Sequence, residues 1–227
     1  MVKTKLIDGY PFVSYARETF PADQLLERSK AFYEWMDKRR TVRDFSTAAV
    51  PKEVIENLIM TASSAPSGAH KQPWTFCVVS DPVLKKQIRV AAEKEEYESY
   101  HNRMPDDWLK DLRPMQTSWK KEFLELAPWL IIVFKKSYEK TAKGNRGNVY
   151  YASESCGLAC GFLLAAIHQA GLVAITHTPS PMNFLSKLLK RPENEKPFLL
   201  IPVGYPATEC WVPDLQRKSI GDVAEWY

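Results

Sequence analysis

Arg39-Arg40-Thr41-Val42-Arg43 sets three guanidinium groups and a hydroxyl where a helix ends and an extended segment begins. Arginine's planar fork matches phosphate oxygens and threonine adds a short donor, so a terminal phosphate is a natural ligand. The alternative is a solvated helix end, in which these cations answer the macrodipole. A second stretch, Ala65-Pro66-Ser67-Gly68-Ala69-His70-Lys71-Gln72-Pro73-Trp74, carries small residues that let a planar ligand approach backbone N–H groups. It reads equally as an ordinary helix-to-strand turn. Gly204-Tyr205-Pro206 and the pair Arg217-Lys218 add a turn after a strand and two more cations.

Other chemistries are excluded by what surrounds these residues. Cys77, Cys156, Cys160 and Cys210 form no CxxC pair, and four histidines offer no zinc spacing, so no metal site is expected. Cys156 and Cys160 stand four apart in an apolar helical pattern and read as small core residues. The net charge of +4 is scattered apart from the arginine cluster, which suits an anionic small molecule and not a nucleic-acid backbone. With 45% apolar and 26% charged residues the chain reads as a soluble globular protein. Residues 1–10 hold Lys3, Lys5 and Asp8 with no apolar run, and no stretch of about eighteen apolar residues occurs, so a cytoplasmic protein without membrane contact is expected.

The elements that must position these residues follow from periodicity. Residues 21–38 place Leu25, Leu26, Phe32, Tyr33 and Met36 on one face of an amphipathic helix. A second helix is expected with Pro51 in its first turn, running through Ile55, Leu58 and Ala62 and ending at Pro66-Ser67-Gly68. Residues 74–80 and 129–135 are β-branched, aromatic runs typical of buried strands, and residues 172–178 and 198–203 complete four strand candidates. Residues 150–170 form a long apolar helix closed by Gly171. Residues 82–126, polar and broken by Pro105 and Pro114, read as a lid-like helical excursion over a site and not as core. Beyond Pro206 periodicity is lost and Pro213 argues against any helix, leaving an extension over residues 207–227 that wraps a partner or lies in solvent. The expectation is one domain of layered α+β type.

In their order along the chain, the arginine cluster, the turn ending in Gln72-Pro73-Trp74, the Gly204-Tyr205-Pro206 turn and the terminal Arg217-Lys218 resemble the nitroreductase-like flavoenzymes over about residues 30–220. The resemblance implies an α+β fold with a central mixed sheet flanked by helices, an intertwined homodimer, and flavin mononucleotide (FMN) at the subunit interface. It implies that Arg39, Arg40, Thr41, Arg43 and Arg217 hold the phosphate and ribityl end, with Ser67 and Gly68 near the ring. Within that family the chain is most similar to the iodotyrosine deiodinases, through residues 39–43, the string Ala65 to His70 followed by Pro73-Trp74-Thr75-Phe76, Thr176-His177-Thr178-Pro179, and Val212-Pro213-Asp214-Leu215.

This narrower resemblance implies a halotyrosine substrate whose zwitterion is held by Glu96, Tyr100 and Lys121. Glu96 and Tyr100 are four apart and so share a helix face. A carboxylate accepts from an ammonium, while lysine and a phenol donate to a carboxylate. Glu96 lies in a run with Glu93, Glu95 and Glu98, and Lys121 is adjacent to Lys120, so spacing alone leaves open which of these side chains points inward. Ala69 is implied to offer its backbone N–H to the phenolate oxygen, which an ortho halogen makes easier to ionise. Thr178 is implied as the catalytic hydroxyl beside flavin N5, with Thr176 and His177 also on the cofactor. In an extended segment Thr176 and Thr178 share one face and His177 takes the other, and a lone histidine is commonly a packed residue. The function implied is FMN-dependent reductive dehalogenation with an unidentified electron donor. The alternatives are a nitroreductase or quinone reductase using NAD(P)H, and a flavin-containing aromatic amino-acid binding protein without turnover.

Overall fold

A computed structural model describes residues 2–15, 17–141 and 144–227. The chain folds as two compact units, Met1–Arg39 and Arg40–Tyr227. In the first, strands β1 (Thr4–Ile7) and β2 (Tyr10–Val13) pair antiparallel as a hairpin, with Ile7 opposite Tyr10. The two-residue turn is Asp8-Gly9, both at positive φ, the geometry that matches strand twist. Helix α1 (Ala22–Asp37) follows, and its apolar side, Leu25, Leu26, Phe32 and Tyr33, is exposed, with no helix residue buried.

The second unit is built on a four-stranded sheet in the order β3-β4-β8-β7: β3 (Trp74–Val79), β4 (Trp129–Lys136), β8 (Glu195–Gly204) and β7 (Val173–Ala174). These pairs are antiparallel, and a parallel bridge from Thr41 to Ala174 makes the sheet mixed at that edge. Leu130 to Phe134 of β4 are fully buried, and their alternation feeds two cores. Leu130, Ile132 and Phe134 join one cluster with Ile88, Leu124 and Leu185. Ile131 and Val133 join another with Ile55, Leu58, Leu163 and Ile167. The first cluster draws on helices α3 (Pro82–Glu98), α5 (Phe123–Leu126) and α7 (Asn183–Leu188), the second on α2 (Lys52–Ser63) and α6 (Ala152–Gln169). Between α3 and α5 lie a π-helical turn, Ser99–Arg103, and α4 (Asp106–Leu112). A small hairpin, β5 (Glu139–Lys140) with β6 (Arg146–Gly147), precedes α6. Among the described residues no helix is long and apolar enough to cross a membrane.

Four expectations need correction. Pro51 is the N-cap of α2 and not a first-turn residue, and the helix stops at Ser63, before Pro66, where Ser64 turns its N–H and hydroxyl onto the last carbonyls. The excursion over residues 82–126 is not outside the core: Ile88 and Ala92 of α3 are fully buried. A stripe repeating every fourth residue carries that face amid a polar sequence. The strand expected over residues 172–178 is paired only at Val173–Ala174 and again at His177 opposite Leu200. Pro213 does not prevent a later turn of helix, α8 (Ile220–Val223), which Ser219 and Asp222 start with a reciprocal capping box.

Candidate functional site

One cavity of about 560 Å3 gathers Arg43, Glu96, Tyr100, Lys121, Thr176, His177 and Thr178. The stripe that buries α3 explains its polar end. Leu84, Ile88 and Ala92 pack on the core at four-residue steps, and the next two steps are Glu96 and Tyr100. Asp81 fixes the start of this helix by accepting from the Leu84 N–H at 2.7 Å.

Glu96 is the only member of the Glu93–Glu98 acidic run that is buried, at 8% exposure, and Lys121, not Lys120, reaches it. Lys121 Nζ lies 3.2 Å from Glu96 Oε2 and is itself 4% exposed. Nζ also donates to Thr117 Oγ1 and to the Ser118 carbonyl, and stands 5.4 Å from the Tyr100 ring centre. The Lys121 backbone is pinned as well: its N–H donates to Glu93 Oε1 at 2.7 Å, an oxygen that also receives Arg89 Nε at 2.8 Å. Burial pushes the Glu96 carboxyl above its ordinary range while the Lys121 charge pulls it back. Burial likewise lowers the Lys121 ammonium, against the opposing pull of Glu96. Two charges thus share one desolvated site, an arrangement weak as a stabiliser but well suited to a ligand that pairs with both.

The opposite wall is the segment after β7. Thr176, His177 and Thr178 alternate exposed, buried, exposed, and all three line the cavity. His177 exchanges backbone hydrogen bonds with Leu200 at 2.8 and 3.0 Å, which fixes the segment to β8. Its ring stands nearly perpendicular to that of Phe123, and burial, reinforced by Lys121 and Arg43, lowers its pKa to about 3, so the imidazole is neutral. Arg43 enters from the first bridge of the sheet, where Val42 N–H donates to the Ala174 carbonyl. Its Nε is buried without a hydrogen-bond partner among the described residues, which leaves a donor for a ligand oxygen.

The remaining candidates lie outside this cavity. Arg40 donates to the Pro213 carbonyl, and Asp44 receives Trp211 N–H and, through its carbonyl, Ala207 N–H, so the C-terminal extension is tied to the arginine segment. Thr41 forms the bridge to Ala174. Arg39 closes the first unit, its N–H on the Met36 carbonyl, and Arg217 is exposed in the extension. Ser67, Gly68 and Ala69 sit at the start of α6, where Gly68 N–H meets Ser155 Oγ at 3.4 Å. A Cβ at Gly68 would come within 2.9 Å of the Tyr150 carbonyl, so only glycine fits this approach. Ala69 and His70 both take positive φ, and the His70 and Lys71 N–H groups close back on the Ser67 and Gly68 carbonyls. Sequence reasoning missed Glu93, Arg89 and Thr117, which hold the Lys121 segment, and Trp108, which lines the cavity. For Glu93 the signal is its position one helical turn before Glu96; Thr117 and Trp108 carry none. Among the described residues no His, Cys, Asp and Glu cluster could hold a metal ion.

Residues 36–205 match the model of the nitroreductase family. The chain is 64% identical over 208 residues to an iodotyrosine deiodinase of Haliscomenobacter hydrossis, covering 92% of this chain and 94% of that protein. It is 46% identical over 212 residues to iodotyrosine deiodinase 1 of Homo sapiens, covering 93% and 73% respectively. The crystal structure of oxidized iodotyrosine deiodinase bound to FMN and 3-iodo-L-tyrosine superposes with a TM-score of 0.73 at 33% identity, over 86% of this chain and 98% of that one. A nitroreductase with bound FMN from Bacteroides fragilis shares the fold at a TM-score of 0.65 and 19% identity, over 86% and 98%.

Proposed function

We propose, for a chain that belongs to the nitroreductase family and to its iodotyrosine deiodinases, the FMN-dependent reductive dehalogenation of halotyrosines. The observation that carries this reading is the buried Glu96–Lys121 pair inside the cavity that Thr178 lines. A nitroaromatic or a quinone has no use for two opposed buried charges. An α-amino acid uses both: Glu96 accepts from its ammonium while Lys121 and the Tyr100 hydroxyl donate to its carboxylate. A zwitterion replaces one neutral pairing by another, so the exchange leaves no charge uncompensated.

The residues fit FMN. Arg43 offers its unpartnered buried Nε, Thr176 and Thr178 offer hydroxyls, and Arg39, Arg40, Thr41 and Arg217 are further candidates for the phosphate end. FMN bound here and reduced by an external donor would supply two electrons and itself end oxidised; with one proton these would exchange the carbon–iodine bond for carbon–hydrogen and release iodide. The protein's part is to hold the ring, and Thr178 is the hydroxyl proposed for the cofactor edge where electrons leave. The Ala69 N–H, in the turn that Gly68 makes possible, would receive the phenolate oxygen.

That last assignment supports a homodimer. The Ser67–Ala69 turn leads into β3 and Thr178 follows β7, the two edges of the sheet. Three interstrand spacings separate them, roughly 14 Å. A site using both is assembled most simply from two copies, one giving the Thr178 wall and the other the turn. Leu158 and Phe162, four apart on α6, are 49% and 41% exposed and flank Gly157 and Gly161, over which there is open space. This apolar face is the proposed contact between copies. The four free thiols suit a reducing cytoplasm.

The test compares ligands of the oxidised, FMN-loaded protein by flavin fluorescence. 3-Iodo-L-tyrosine is expected to bind at least a hundredfold more tightly than 2-iodophenol, which lacks the zwitterion. Equal affinity for the two would remove the clamp from the reading.

A further inference from the structure

We propose that His177 is a second acceptor for the substrate's α-ammonium group, and so a residue that sets specificity for α-amino acids over their des-amino analogues. The inference rests on the zwitterion reading of Glu96 and Lys121 and extends it to a side chain of the opposite wall.

His177 Nε2 is buried and has no hydrogen-bond partner among the described residues. A buried polar atom left in this state needs a partner from outside the chain. Glu96 Oε1 stands 4.0 Å away, beyond hydrogen-bond range. The other Glu96 oxygen is the one that Lys121 holds. Oε1 and Nε2, 4.0 Å apart, therefore belong to two residues that line one cavity. A nitrogen placed about 2.8 Å from each sees them at roughly 90°, close to the tetrahedral spread of ammonium protons. The third proton is left for solvent or for the ligand's own carboxylate.

The electrostatics favour an acceptor role. Were the imidazole cationic it would occupy Glu96 itself and repel the incoming ammonium. Burial beside Lys121 and Arg43 keeps it neutral; the acceptor role calls for the tautomer with its proton on Nδ1, which presents a lone pair at Nε2. The ring has little freedom to avoid this task. Its backbone is bonded to Leu200 in both directions and its ring plane stands at 85° to that of Phe123.

The experiment uses FMN-loaded protein and three ligands: 3-iodo-L-tyrosine, 3-(3-iodo-4-hydroxyphenyl)propanoate, which keeps the carboxylate and lacks the amine, and 2-iodophenol. His177→Phe is expected to weaken iodotyrosine about tenfold while changing the propanoate less than about twofold. His177→Gln, whose amide oxygen restores an acceptor, is expected to recover most of the loss. In wild-type protein labelled with 15N-histidine, the Nε2 resonance assigned by difference with His177→Gln should shift with iodotyrosine and not with the propanoate. Equal weakening of both ligands, or a shift produced equally by both, would mean that His177 only packs the wall or holds a water. Should His177→Phe fail to retain FMN, the glutamine variant and the resonance shift decide the matter. Glu96→Gln is the control: if it leaves iodotyrosine affinity unchanged the clamp itself fails, whereas a loss there without one at His177→Phe overturns only the present assignment.

Discussion

Replacing Lys121 by methionine while keeping Glu96 tests whether the buried pair exists for the ligand or for the fold. The substitution keeps the length of the side chain and removes the charge 3.2 Å from Glu96 Oε2. Glu96, 8% exposed, must then either remain an unpaired buried anion or take up a proton. Protonation caps the penalty. Neutralising a carboxyl of ordinary pKa 4.5 at pH 7 costs about 3.4 kcal/mol, from 2.5 pH units at 1.36 kcal/mol each. Lys121→Met is thus expected to lose about 3 kcal/mol at pH 7. In this variant the Glu96 pKa is raised in the folded state above its unfolded value, so the lost stability returns as pH falls, leaving a deficit of about 0.7 kcal/mol at pH 5. Glu96→Gln with Lys121→Met removes both charges and is expected to lie within about 1 kcal/mol of wild type, because a buried pair repays little more than its own desolvation. Urea denaturation of the four proteins at fixed protein and FMN concentration, followed by circular dichroism, gives the cycle. The double variant should fold and still fail to hold iodotyrosine. A Lys121→Met deficit that does not change with pH, or single losses that simply add, would refute a coupled buried pair.

Three further outcomes follow from the same geometry. His177 is neutral in the folded state down to about pH 3 but takes a proton in the unfolded chain below 6.5; stability is therefore lost as pH falls from 6.5 toward 3, by about 2 kcal/mol between pH 7 and 5, and His177→Gln should remove that slope in acid denaturation. Glu93→Ala strips the acceptor from the Lys121 N–H and from Arg89; a loss of 1–3 kcal/mol in the anchoring of that loop should weaken iodotyrosine binding with little change for 2-iodophenol, as read by flavin fluorescence. Leu158→Glu places a charge on the exposed apolar face of α6 and should give monomers in light scattering that release FMN on dilution, whereas a variant that stays dimeric and flavin-loaded would move the interface elsewhere.

Sequence periodicity reads the central elements well because their inward positions are mostly apolar. The strands at Trp74–Val79 and Trp129–Lys136 and the helix at Ala152–Gln169 bury mainly apolar side chains, with Ser155 an exception, and their bounds fall within two residues of the expectation. The hairpin at Asp8-Gly9 carries a strong turn signal, but its strands have no buried face and leave no apolar pattern. In α3 the reverse holds: Leu84, Ile88 and Ala92 are a clear stripe, masked by the lysines and glutamates between them. Followed four residues further, that stripe reaches Glu96 and Tyr100, a phase that the acidic run by itself hides, so Glu96 was singled out only by the resemblance. The choice of Lys121 over Lys120 was not legible from spacing either, because it depends on a loop whose backbone Glu93 holds from another element. Nor could spacing reveal that Arg43 and His177 share a cavity, since the bridge of Thr41 to Ala174 that joins their segments is a tertiary contact.

The most direct test of dehalogenation is a single turnover under anaerobic conditions. FMN-loaded protein, reduced chemically by two electrons per flavin and freed of reductant, is mixed with excess 3-iodo-L-tyrosine, and iodide, tyrosine and flavin absorbance are followed together. One iodide and one tyrosine should appear for each flavin reoxidised, and Glu96→Gln, in the protein that retains FMN, should slow the reaction at least tenfold at limiting substrate. Reduced flavin that persists with 3-iodo-L-tyrosine yet is promptly reoxidised by a nitroaromatic would contradict the account and assign the chain a general reductase chemistry instead.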